Sequence, residues 1–130
     1  MPKAATRKND KKQVACPVET TIDAIGGRWK VLVIHHLLES HQRFGELTRL
    51  LGGISARTLT RQLRELEQCG IIQRHVHQQV PPKVEYSLTP LGRALEPVLA
   101  AMHAWGEELE RREKKNSDKY GGETKNRTSS

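Results

Sequence analysis

No run of apolar residues in this 130-residue chain is long enough to cross a membrane as a helix. The charged N-terminal stretch also lacks the apolar segment of a signal peptide, so we expect a cytoplasmic protein with no membrane partner. Cysteine is scarce. Cys16 and Cys69 are the only two, too few for a disulfide framework, and in a reducing compartment both are expected as thiols. The chain has no glycine-rich phosphate loop, no paired-cysteine motif and no nucleophile set beside a base, so neither catalysis nor a cofactor is expected. The histidines do not fill that gap. His35 and His36 have no partner at metal-ligand spacing, and His75 and His77 alternate as strand residues on a solvated face do, so no metal is expected.

What the chain does carry is charge, at +7 with a pI near 9.7. Such a balance suggests nucleic acid, but its position matters more than its sum. Residues 1–15 hold five cationic side chains against one acidic, and residues 111–130 hold seven against three. That surplus of eight leaves residues 16–110 with a net charge of −1. The expected organisation is therefore a flexible basic arm (1–15), one folded domain (16–110) and a flexible basic tail (111–130), the arms being either electrostatic or merely solubilising. DNA recognition by the folded part has to come from local placement of arginine.

In the folded part, Pro17 suits a first helical position, Glu19 favours the positive end of the helix dipole, and Val18, Ile22 and Ile25 repeat at helical spacing up to Gly26-Gly27. Arg28 to Glu39 is dense in apolar residues, and the spacing of Trp29, Leu32 and Leu37 favours a central core helix. Phe44 to Leu51 forms a short amphipathic helix. Gly52-Gly53-Ile54 then makes a tight connection to Ser55, an N-cap whose hydroxyl can accept a free backbone N–H.

The helix from Ser55 to Gln68 separates its faces by chemistry. At about 3.6 residues per turn, Leu59, Leu63 and Leu66 share one stripe, while Arg57, Arg61 and Arg64 lie opposite with Thr58 and Gln62 at the flank. Arginine can bond guanine bidentately in the major groove, Gln suits adenine, and Ser or Thr reaches bases or phosphates. An arginine face is also what an ordinary solvated helix presents, so this helix alone leaves both readings open. Two helices joined by a glycine turn are the helix-turn-helix order.

After Gly70 the period changes to two. Ile72, Arg74 and Val76, then Val84, Tyr86 and Leu88, mark a hairpin with a proline-stiffened tip at Val80-Pro81-Pro82, which set after such a helix is a wing. Thr89-Pro90 opens the longest amphipathic stretch, Leu91, Leu95, Val98, Leu99, Met102, Trp105 and Leu109, in which Pro97 marks either a kink or the true start of the helix. That helix either closes the core or, with the first helix, forms a homodimer interface through Val18, Ile22, Leu99, Met102, Trp105 and Leu109.

Order and residues together resemble the HxlR-type winged helix-turn-helix transcription regulators, relatives of the MarR group. The resemblance is carried by Cys16-Pro17-Val18-Glu19, Ile25-Gly26-Gly27-Arg28-Trp29-Lys30, Arg43-Phe44-Gly45-Glu46-Leu47, Gly53-Ile54-Ser55 through Leu63-Arg64-Glu65-Leu66-Glu67, and Val80-Pro81-Pro82-Lys83-Val84-Glu85-Tyr86-Ser87-Leu88-Thr89. It runs from about Cys16 to Leu109. It implies an α+β, mostly helical fold with a two-stranded wing and flanking dimerisation helices. It also implies a homodimeric bacterial regulator on a pseudo-palindromic double-stranded DNA operator, with the Ser55 helix in the major groove and the wing near the flanking backbone or minor groove; we expect a repressor, although the sequence does not decide between repression and activation. Cys69 and both basic tails depart from the family pattern.

The expected DNA-binding residues are Ser55, Arg57, Thr58, Arg61 and Gln62, with His77, Gln78 and Lys83 on the wing unless it is too short to reach. Pro17 sets Cys16 at the N-cap, where free N–H groups and the helix dipole favour a reactive thiolate. The resemblance adds that the family's cysteine before this proline senses oxidants or electrophiles in some members; otherwise Cys16 is a small apolar residue. Two other readings stand beside this one. One is a regulator answering to a small-molecule effector at the dimer seam without thiol sensing, and the other is a winged helix used for protein contacts.

Overall fold

Pro17 opens α1 (Pro17–Ile25), with Cys16 as its extended N-cap and Glu19 in its first turn. It ends where the Gly26 N–H closes onto the Ile22 carbonyl at 2.7 Å. The computed structural model describes residues 16–119, so the expected arm at 1–15 and the chain from 120 onward lie outside the described residues. The core helix α2 spans Lys30–Glu39. Its buried residues are Val33, Ile34 and Leu37, while Leu32 is exposed. Leu37 is buried as expected but Leu32 is not, because in the consecutive apolar run Val31-Leu32-Val33-Ile34 the spacing alone does not choose the face.

A two-residue strand, β1 (Gln42–Arg43), leads into α3 (Phe44–Leu51). The Arg43 N–H donates to Glu46 Oε1 at 2.7 Å, satisfying a donor at the helix start. Gly52 and Gly53 then turn the chain with φ of +40° and +90°, a left-handed geometry that side chains with a Cβ resist. Helix α4 (Ala56–Gln68) follows. Leu59, Leu63 and Leu66 are all buried, and each fully buried leucine contributes about 1.5–3 kcal/mol. That stripe fixes which face of α4 is left for solvent.

Strands β2 (Ile72–His77) and β3 (Lys83–Leu88) form the wing, with Ile72 opposite Leu88 and His77 opposite Lys83. Strand β1 adds to the other edge of β3, giving the antiparallel order β1-β3-β2, with Arg43 opposite Glu85. This third strand is absent from the sequence reading because two residues carry no period. Tyr86 and Leu88 face inward, while Val76 stays exposed.

Thr89 caps α5 (Pro90–Arg93) by accepting the Gly92 N–H at 3.1 Å, and its hydroxyl donates to the Gly70 carbonyl at 2.6 Å. The long amphipathic stretch is thus two helices. Pro97 stands as the second residue of α6 (Glu96–Lys119), marking its start rather than kinking it, and Leu91, in α5, is exposed. The chain divides into two units, residues 1–96 and 97–130. Helix α6 continues through 111–119, which composition alone assigns to the tail. Glu108 bonds Arg111 and Arg112 there, each at 2.9 Å, pairs at the spacing that supports an exposed helix. Among the described residues no helix is long and apolar enough to cross a membrane.

Candidate nucleic-acid interface

Ser55 secures the start of α4 twice. Its Oγ accepts the Thr58 N–H and donates to Thr58 Oγ1, both at 3.0 Å. These two hydroxyls are therefore bonded to each other and hold the start of the helix. Arg57, Arg61 and Arg64 are exposed on the face opposite the buried leucines, and Gln62 is half-buried at its flank. Ala56, Arg57, Thr60, Arg61 and Arg64 line a surface concavity. Thr60 and Arg64 join this face beyond the expected site residues, and the one-turn spacing of Arg57, Thr60, Arg61 and Arg64 is the sequence signal for both.

The wing is chemically different. His77 Nε2 lies 2.9 Å from Glu85 Oε1, and Lys83 Nζ and His41 Nε2 each lie 3.6 Å from Glu85 Oε2. The His77 hydrogen bond, with Lys83 and His41 nearby, holds the Glu85 carboxyl below the usual carboxylate range against the opposing effect of burial. Two of the three expected wing residues are thus gathered on one carboxylate, and Gln78 is exposed beyond the strand end. Neither His41 nor Glu85 was expected here, and alternation of polar residues gave no sign of the cluster.

Cys16 is exposed and its thiol makes no capping hydrogen bond, while its carbonyl accepts the Glu19 and Thr20 N–H groups at 2.8 and 3.2 Å. Cys69 is half-buried at the end of α4. Val18, Ile22, Met102, Trp105 and Leu109 leave large apolar surface in water, at 64%, 58%, 48%, 67% and 39% exposure, whereas Leu99 is buried within the single chain at 7%.

A recognition-type helix with an arginine face, entered from a glycine turn and followed by a wing, matches the HxlR-like helix-turn-helix model over residues 24–114. The chain belongs to this HxlR-like family of transcriptional regulators. The HTH-type transcriptional regulator YdeP of Bacillus subtilis (strain 168) is 56% identical over 97 residues, 75% of this chain and 76% of that protein. Among solved structures, the redox regulator HypR in its oxidised form is 54% identical with a TM-score of 0.69, over 72% of this chain and 96% of that one. The quinone-bound YodB of B. subtilis is 38% identical with a TM-score of 0.62, over 72% and 99%. The winged helix-turn-helix architecture of this HxlR-like chain is the one its sequence leads one to expect.

Proposed function

We propose that the protein is a cytoplasmic homodimeric repressor that binds a pseudo-palindromic operator and is released by oxidants or electrophiles acting at Cys16. The arginine face of α4 is the observation that carries the reading: Arg57 and Arg61 stand where a recognition helix meets base edges. Ser55 and Thr58 fix the helix end, Gln62 flanks it, and His77, Gln78 and Lys83 reach the DNA backbone from the wing. Exposed apolar residues on α1 (Val18, Ile22) and, separately, on α6 (Met102, Trp105, Leu109) are each surfaces a second copy would cover. Leu99, already buried, is a weaker member of that set.

The sensing part draws on Cys16, an exposed thiol at a helix N-cap. The similarity to HypR, solved in an oxidised form, and to YodB, solved bound to quinone, supports a response to oxidants or quinones. Modification at Cys16 would move α1 and so alter how two recognition helices are spaced.

Selection of bound sequences from a random DNA pool tests the proposal. The expected product is an inverted repeat whose half-sites lie about 34–36 Å apart, one DNA turn. Failure to enrich any sequence would turn the reading toward a protein-contact module.

A further inference from the structure

Three basic side chains from three separate segments converge on Glu85, in the middle strand of the sheet. His77 comes from β2, Lys83 from β3, and His41 from the turn before β1. The register sets His75 and Arg43 directly opposite Glu85 on the two neighbouring strands, and the His75 and His77 ring centroids are 6.3 Å apart. The acid is the most covered member. Its side chain is 17% exposed, against 35% for Lys83, 43% for His77 and 62% for His41. An approaching anion therefore meets the basic groups first.

The hydrogen bond at His77 has a specific consequence. With Nε2–H donating to Glu85, a neutral ring carries a bare lone pair on Nδ1. Phosphate oxygens only accept, so that nitrogen offers them nothing until it gains a proton from solvent. The imidazolium keeps Nε2–H on Glu85 and presents Nδ1–H as a charged donor.

We propose that His77 is a proton-gated contact to a DNA backbone phosphate, positioned by Glu85 and flanked by Lys83 and His41. This rests on the DNA-binding reading above and adds a regulation to it: operator binding takes up a proton at the wing. The charged and titratable groups that face His77 are Glu85, Lys83, Arg43, His41 and His75. The His77 share is isolated by a variant that removes it alone.

The experiment measures operator affinity of the full chain at fixed ionic strength near pH 7.5 and pH 6. One histidine that must be charged in the complex gives a gain of roughly four- to eightfold on that acidification. His77→Gln, which keeps a polar amide but does not titrate, is expected to lose that part of the gain. Glu85→Gln separates positioning from charge. Loss of a negative charge alone strengthens binding equally at both pH values, whereas loss of the ring's anchor also shrinks the gain. The same gain in wild type and His77→Gln overturns the proposal, and an unchanged gain in Glu85→Gln overturns the role of Glu85. In parallel, NMR titration of the His77 ring is expected to show a raised midpoint with operator. An equal rise with inorganic phosphate alone would overturn the assignment to DNA. Absence of DNA binding at any pH would instead overturn the DNA-binding reading, and this inference with it.

Discussion

Lys30 Nζ lies 2.7 Å from Glu65 Oε1, tying the first residue of the core helix α2 to the recognition helix α4. The Lys30 side chain is 15% exposed and that of Glu65 44%, so the pair sits at the edge of water rather than in the core. It adds a directional link to the contact that Leu59, Leu63 and Leu66 make without direction. Lys30→Met keeps the apolar stem and removes the charge. Denaturant unfolding is expected to show a loss of up to about 1 kcal/mol, matched by Glu65→Gln and not doubled in the combined variant. Fully additive losses would show that the two residues do not act as a pair.

Gly92 in α5 approaches the Ile71 backbone and the Leu88 side chain, at the base of the wing, closely. A Cβ at this position would overlap the Ile71 carbonyl oxygen, which is backbone and unable to step aside. Gly92→Ala should therefore cost about 1–3 kcal/mol, as overpacking does, and lower the melting temperature. Equal stability of the variant would mean that α5 shifts freely on the wing.

Acid is expected to destabilise the fold in two steps. Burial, with His35 beside it, pushes the His36 pKa below its ordinary 6.5, so its contribution is present above that value and lost as pH falls through the lower folded value. Glu85 is held below its ordinary 4.5, first by the His77 hydrogen bond and then by Lys83 and His41. Its contribution is likewise present above 4.5 and lost as pH falls through the folded value. Thermal unfolding followed from neutral pH to about pH 3.5 should fall in both ranges, with His36→Gln removing the upper step and Glu85→Gln the lower. A melting temperature that rises on acidification would contradict both assignments.

Much of this arrangement is legible in the sequence where a period and a punctuating residue coincide. Leu59, Leu63 and Leu66 between Ser55 and Gly70 define α4, and Pro17 after Cys16 defines the start of α1. The reading falters where one of the two is missing. In α2 four apolar residues, Val31 to Ile34, stand in a row, so the spacing points Leu32 inward whereas Val33 and Ile34 are the buried ones. Strand β1 is too short to have a period. The Glu85 cluster depends on strand register and on His41, which is remote in the chain, and neither pairing leaves a trace in local alternation. The charged side chains of 111–119 point to a tail, whereas the segment is helical and Glu108 with Arg111 and Arg112 is the kind of pairing that supports an exposed helix.

The sensing role of Cys16 predicts that operator binding by the wild type falls after mild diamide or quinone treatment and returns with reductant, while Cys16→Ser holds its affinity throughout. A response shared by both proteins would move the reactive site elsewhere, with Cys69 next to be replaced.

Comparing Arg61→Ala with wild type on the selected operator and on random DNA shows whether the outward face of α4 reads bases. A bidentate base contact is worth about 1–3 kcal/mol of discrimination. Arg61→Ala is expected to lose roughly five- to 150-fold in operator affinity, and much less on random DNA. Equal losses on both would make Arg61 a phosphate contact and contradict the assignment of base reading to this face.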